Sequence, residues 1–529
     1  MKKQIVIILM SLFCWQSSGF ADTMYQIDSK KLQEQLDQPK SAFPIKKSIY
    51  QNQLPNVHQN LQDAPINASL TMGARFNDEY INRKIAEWAL RQVNSSMPLI
   101  TDPWVNQVVF NMTAKMNANV RSQGLLAVPI INDVTINAFA VPGGLIGLNT
   151  GTILSANQLD EVASVLAHEI AHLAQRHYEH SKDNKKKLIA LQLGGLLAAI
   201  AASKSAGGDV ALAAIAGSQT ASAEVSASHS REHEREADRI GMQILTQSGY
   251  DASAMPRFFA HLYKQMTLYQ SKDAYMPSFM QSHPFTAERL SEATSRANQY
   301  PKTNMVSQEV FAKEFDKLVW RIKYVTNQVG LGDLKIAAKN STGAKLALAA
   351  SLADNGQVKE ALYLFRQNQP IFDDNDPLVC ITKAHIFTKD KQFDKAVETL
   401  QACQAIYPER RDLALHLVDA LIDVGKNEQT ITHALAQVKA NHSDVQAWTL
   451  LQNAYQNHAK TLTGQKASAA TAYALQARSQ IQLWQGQYTQ ALQSNAQASE
   501  LAKQAQDVIL QKTLQKDKTE ILDARDFKP

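Results

Sequence analysis

His168, Glu169 and His172 spell H-E-x-x-H inside an apolar run, and no other feature of the chain restricts its fold as tightly. Residues four apart on an α-helix share a face, so both imidazoles can reach one zinc ion while Glu169 leans over the open coordination position. The helix needs a packed back. Leu159, Val162, Val165, Leu166, Ile170 and Leu173 recur at the right spacing to supply it, and Ser155 with Gln158 reads as a capping box at its start. Two solvated histidines on a surface helix are the alternative. A third protein ligand decides between the two.

The extended metzincin pattern does not provide that ligand, because Gln175 stands at its glycine position and Tyr178 at its last histidine position. A better source is the run from Ser230 to Asp238, S-R-E-H-E-R-E-A-D. Glu234 and Asp238 lie one helical turn apart, so one carboxylate can bind zinc while the other accepts the free ring N–H of a ligating histidine. Glu236 competes as ligand, but it falls about 200° around the helix from Glu234, so both cannot face one metal.

Here the chain resembles the gluzincin metallopeptidases of the CAAX-protease and HtpX type, whose second motif reads E-x-x-A-D; in this sequence that is Glu234, Ala237 and Asp238. The resemblance decides for Glu234 and implies one Zn²⁺ held by His168, His172 and Glu234, with Asp238 orienting the metal shell. Glu169 is then the general base of a peptidase. Asn137 to Gly151 looks like the family's strand, turn and strand before the metal helix. Such a strand could hold an extended peptide by adding its backbone to the sheet; a plain supporting hairpin is equally open.

Ser282-His283-Pro284-Phe285, followed by Glu288-Arg289-Leu290, resembles the His-Pro segment of one subgroup, the periplasmic β-barrel assembly-enhancing proteases of Gram-negative bacteria. In that subgroup the histidine can approach the zinc as a removable fourth ligand, which makes His283 a candidate switch. An ordinary loop residue is the alternative. An imidazole in the open position would displace the water that has to be activated.

Lys2 and Lys3 precede an apolar stretch from Ile5 to Trp15, and Ser17 to Ala21 gives the small residues a signal peptidase reads, so export to the periplasm with cleavage after Ala21 is expected. Loss of the two lysines takes the formal charge from +5 to +3, too small an excess to argue for nucleic acid. The remaining cysteines, Cys380 and Cys403, fall in one expected helical hairpin and are expected to pair; buried free thiols are the alternative.

At 529 residues the chain exceeds one core, and its pattern changes near residue 300. The expected order is a signal peptide at 1–21, an irregular arm at 22–70, a zinc metalloprotease domain at 71–300, a helical connection at 301–339, helical repeats at 340–515 and a polar tail at 516–529. Helices are expected at Asn77 to Val93 and Asp102 to Met116. Between the zinc motifs, a basic turn at Lys182 to Lys187 is followed by apolar runs, ending at Gly217, that are too short to span a bilayer; they suit a buried hairpin or a mobile, membrane-facing or site-covering flap. Beyond residue 340 a period near 34 suggests tetratricopeptide hairpins. Phe393, Ala396, Leu400, Cys403 and Pro408 form the clearest unit, with Gly356, Ala361 and Phe365 one period earlier, Trp448, Leu451 and Tyr455 later, and Gly486, Tyr488 and Ala491 last. Thr430 departs from the pattern, standing where alanine is expected.

The fold class is therefore mainly α: a helical zincin-type metalloprotease domain with a small β-sheet, followed by an α-α solenoid. The resemblance implies a periplasmic zinc endopeptidase with a chaperone-like role, acting on unfolded or stalled outer-membrane β-barrel proteins. It also implies contact with the β-barrel assembly machinery through the repeats, and a peripheral membrane contact is compatible. A non-proteolytic assembly chaperone with a structural zinc is the competing class, and the intact Glu169 argues against it, since a structural site needs no base.

Overall fold

The structure, a computed structural model, describes residues 72–120, 124–175, 223–269, 283, 286–368 and 371–529, and these belong to one compact unit, Thr71–Pro529. The expected signal peptide, the 22–70 arm, the segment from Lys182 to Gly217, Pro284 and Phe285 lie outside the described residues. The chain is mainly helical with one small sheet, as the sequence led us to expect. Among the described residues no helix is long and apolar enough to cross a membrane.

Helix α1 (Met72–Ser96) and α2 (Pro103–Asn117) come first. Asp102 caps α2, its carboxylate accepting a hydrogen bond from Val105 N at 2.9 Å, with proline at the first helical position where no N–H is needed. Strands β1 (Ile130–Ile131), β2 (Ala138–Val141) and β3 (Leu145–Asn149) follow. The central β3 pairs parallel with β1 and antiparallel with β2, in the register Ala138 to Leu148 through Val141 to Leu145. The turn joining β2 to β3 requires glycine: Gly143 and Gly144 have φ of +96° and +91°, and a Cβ on Gly143 would meet Asn82 O of α1 at 2.1 Å.

The short α3 (Thr150–Ser155) leads into the metal-motif helix α4 (Leu159–Ala174). Here the expected capping box does not form. Ser155 closes α3, Gln158 makes no side-chain cap bond, and Asn157 N instead donates to Glu161 Oε2 at 2.8 Å. The reciprocal acidic residue of a cap is thus present, three positions later than the sequence suggested. Helix α4 is buried from Leu159 to His172, so it is enclosed on all sides rather than amphipathic.

Helices α5 (Ala223–Gln247) and α6 (Ala254–Tyr269) pack against α4, α7 (Ala287–Ala297) packs against α5 and α6, and α8 (Met305–Val325), which also touches α4, and α9 (Leu331–Ala337) lead onward. Five helical pairs then succeed one another: α10 (Thr342–Asp354) with α11 (Val358–Gln367), α12 (Pro377–Lys389) with α13 (Phe393–Ile406), α14 (Arg411–Asp423) with α15 (Asn427–Ala440), α16 (Val445–Lys460) with α17 (Gly464–Trp484), and α18 (Tyr488–Gln504) with α19 (Val508–Asp526). Residues 516–526, expected as a polar tail, instead extend α19 and bury Ile521 and Ala524. Cys380 of α12 and Cys403 of α13 are joined as a disulfide.

The sheet has two covered faces. Ala138, Ala140, Ile146 and Leu148 pack into the core around α4, while Val141 and Leu145 join a second core made with α1 and the C-terminal helices α14, α16 and α17. The expected hairpin before the metal helix therefore also touches the C-terminal helices.

Candidate metal centre

Helix α4 presents His168 and His172 one turn apart, and α5, packed along it, presents Glu234 and Asp238 at the same spacing. His168 Nε2 lies 3.0 Å from His172 Nε2 and 3.3 Å from Glu234 Oε2, and His172 Nε2 lies 3.4 Å from Glu234 Oε1. His283 completes the cluster, its Nδ1 3.0 Å from Glu234 Oε1 and 3.3 Å from His168 Nε2. All four residues are buried and could together hold a metal ion.

Two observations test whether zinc suits this set. Four donors bonded tetrahedrally at zinc distances would stand about 3.3 Å apart, and the separations given above, from 3.0 to 3.4 Å, are close to this. Charge gives the second test. Glu169, Glu234 and Asp238 are all buried, and the guanidinium of Arg289 pairs with Glu234 and Asp238, so three buried carboxyl groups stand near one guanidinium and the cluster suits a bound cation.

Asp238 Oδ1 lies 3.0 Å from His168 Nδ1 and so favours the tautomer that leaves Nε2 as the donor. Behind it stands Arg289, a residue to which sequence reasoning gave no role. Arg289 Nε and Nη2 donate to the two oxygens of Asp238 at 2.7 and 2.8 Å, and Nη1 lies 3.0 Å from Glu234 Oε2. Its guanidinium also rests over the Phe259 ring, 5.2 Å from the centroid. The E-R-L triplet after the His-Pro segment was visible in the sequence; that its arginine would be buried was not.

The electrostatics follow from this crowding. Burial disfavours charge on His168, but Asp238 and Glu234 outweigh it and raise its pKa, whereas burial wins at His172 and lowers it. Burial likewise opposes ionised Glu234, yet His283, His172 and His168 hold its carboxyl well below the usual range.

Glu169 is different from its neighbours. It is fully buried, neither carboxylate oxygen has a hydrogen-bond partner among the described residues, and burial raises its pKa. His283 Nε2 lies 3.4 Å from Glu169 Oε1. A carboxylate left without donors beside four metal-binding side chains is chemically suited to receive a proton.

Strand β2 runs beside this centre at the sheet edge. Asn149 N donates to Asn137 O at 3.0 Å, which fixes the ladder alternation and turns the backbone polar groups of Ala138 and Ala140 away from β3. Among the described residues no strand pairs with this outer side of β2.

Residues 99–297 form a domain that matches peptidase family M48. The chain is 36% identical over 238 residues to the beta-barrel assembly-enhancing protease of Yersinia pestis, covering 43% of this chain and 47% of the relative. It is 33% identical over 236 residues to the protein of the same description in Escherichia coli K12, covering 43% and 46%. The chain spans about half the length of the curated relatives it matches.

Proposed function

We propose that this chain, which carries a peptidase family M48 domain, is a zinc-dependent endopeptidase in which His168, His172 and Glu234 hold the metal. The observation that carries this is the meeting of those three donors with the buried carboxylate of Glu169, which has no hydrogen-bond partner among the described residues. When bound, zinc supplies Lewis acidity that activates water and polarises a carbonyl. Glu169 takes the proton of the attacking water and passes it to the leaving amine. Asp238 keeps His168 in its ligating tautomer, Arg289 holds Asp238 and Glu234, and the β2 edge aligns an extended peptide through backbone hydrogen bonds. His283 acts as a removable fourth ligand that holds the enzyme at rest.

The relatives are described as beta-barrel assembly-enhancing proteases, which supports a role in β-barrel assembly. The substrates in this reading are outer-membrane β-barrel proteins, unfolded or stalled; the C-terminal helices form a tetratricopeptide-like docking array for the assembly machinery, and the chain has a chaperone-like role beside proteolysis. The periplasm, entered through the 1–21 signal peptide, suits the Cys380–Cys403 disulfide, which an oxidising compartment favours.

Cleavage of unfolded casein by the zinc-loaded chain tests the reading. Wild type or His283→Ala should cut, with a gain in the latter, while Glu169→Gln and Glu234→Gln should not. Zinc bound stoichiometrically with no cleavage by any variant would favour the non-proteolytic chaperone.

A further inference from the structure

Glycine inside a helix weakens it, because the backbone loses more freedom there and no side chain packs. Helix α5 nevertheless carries Gly241 in its interior, buried, on the face that bears Glu234 and Asp238. A Cβ at this position would meet the Cα and N of His168 at 3.2 Å and the carbonyl carbon of Ala167 at 3.3 Å. All three are backbone atoms of α4. No rotamer can make room for a methyl group there, so α5 would have to back away from the metal helix by a few tenths of an ångström.

We infer that Gly241 is a positioning residue, setting the separation of the two helices that carry the metal-binding side chains. The inference rests on His168, His172 and Glu234 being the zinc ligands. Glu234 reaches the imidazoles at 3.3 and 3.4 Å, and Asp238 reaches His168 at 3.0 Å, across this one helix contact. Withdrawal of α5 lengthens all of these together, whereas α4 keeps His168 and His172 in fixed relation to each other. The third ligand then holds the metal less well while the two helices remain folded. Gly332 of α9 provides the contrast, since a Cβ there would meet nothing within 4 Å.

The test measures zinc affinity of the full chain by competition with a chromophoric chelator, and the visible spectrum of the cobalt-substituted chain, for wild type, Gly241→Ala, Gly332→Ala and Glu234→Gln. Gly241→Ala should bind zinc about tenfold more weakly and shift the cobalt bands, the scale seen when groups that orient metal ligands are changed. Gly332→Ala should match wild type in both. Wild-type affinity and spectrum in Gly241→Ala overturn the inference, and if Glu234→Gln also binds zinc as wild type does, the ligand assignment itself has failed. Should Gly241→Ala fold only when zinc is added, the zinc concentration at its folding midpoint replaces the chelator value and must exceed that of wild type. A chain that stays unfolded at saturating zinc overturns the inference, because the contact then serves the fold and not the metal.

Discussion

Arg289 shows how much of this centre depends on a side chain that touches no scissile bond. It is 2% exposed and its guanidinium serves two buried carboxylates at once. Removing it by Arg289→Ala would leave Asp238 and Glu234 buried without their cation, at a cost of about 3–5 kcal/mol to the zinc-free fold. Arg289→Lys should recover part of this, since an ammonium keeps the charge but cannot make the paired bonds to Asp238. Urea unfolding of the chelator-treated chains measures both, and equal stability of wild type and Arg289→Ala would mean that the pair contributes nothing net. The residues that can hold metal were legible in the sequence because zinc chemistry fixes their type and their four-residue spacing. Arg289 was not, because nothing in a charged helix face says which of its charges points inward. Gly241 escaped for a related reason: its role lies in a distance between helices, and spacing within one helix does not encode it.

The helices repeat that pattern of periodicity read correctly and local chemistry displaced. The apolar spacing of α4 was plain, but its start moved, because Glu161 reaches back to Asn157 N and makes the Ser155 cap unnecessary. Beside it Asp160 is 4% exposed, and its Oδ1 has no hydrogen-bond partner among the described residues; burial pushes its pKa up to about 6. A carboxyl raised in this way binds more protons folded than unfolded between about pH 4 and pH 6, so its contribution to stability is greatest below that window and is lost as pH rises through it. Two pKa units correspond to about 2.7 kcal/mol. Asp160→Asn should therefore raise the Tm at pH 8 and leave it little changed at pH 4, and a gain of the same size at both pH values would refute the assignment. Among the helical pairs, the turn residue takes a left-handed conformation at Gly356, Lys391 and Gly425, recurring at nearly the period read from the sequence. Lys391 occupies glycine's place there with φ of +60°. Lys391→Gly should stabilise the chain by up to about 1 kcal/mol, the left-handed strain relieved less the added freedom of the unfolded chain, which a denaturant midpoint can resolve. Thr430, out of pattern in the sequence, fits the buried alanine position by returning its hydroxyl to Lys426 O at 2.8 Å.

At the scale of the whole molecule, the sequence change near residue 300 suggested parts that could be separated, and the packing bears on what separation would do. Ile85, Ala86, Ala89 and Leu90 of α1, Val141 and Leu145 at the β2–β3 turn, and Leu415, Val418, Trp448 and Trp484 of the repeat helices share one hydrophobic core. Polar contacts tie the same elements together: Asn94 Nδ2 donates to Trp484 O at 2.9 Å, and the Arg91 guanidinium lies 4.7 Å from the Trp484 ring centroid. No periodicity within a segment could reveal this, because the contacts join residues nearly 400 positions apart. Deleting residues 340–515 would expose Leu90, Val141 and Leu145, each less than a twentieth exposed in the structure. At about 1.5–3 kcal/mol for each large aliphatic side chain, that loss approaches the stability of a whole domain. The truncated chain should therefore lose hydrogen-exchange protection at Ala138–Val141 and Leu145–Asn149, and with the proposed substrate edge unpinned it should fail to cut even unfolded casein, which needs no docking partner. Retained protection and casein cleavage would instead show that the repeats serve partners alone. The distinction matters because loss of function on truncation is ordinarily read as loss of a docking surface, and in this molecule the same deletion also removes the floor beneath the β2 edge.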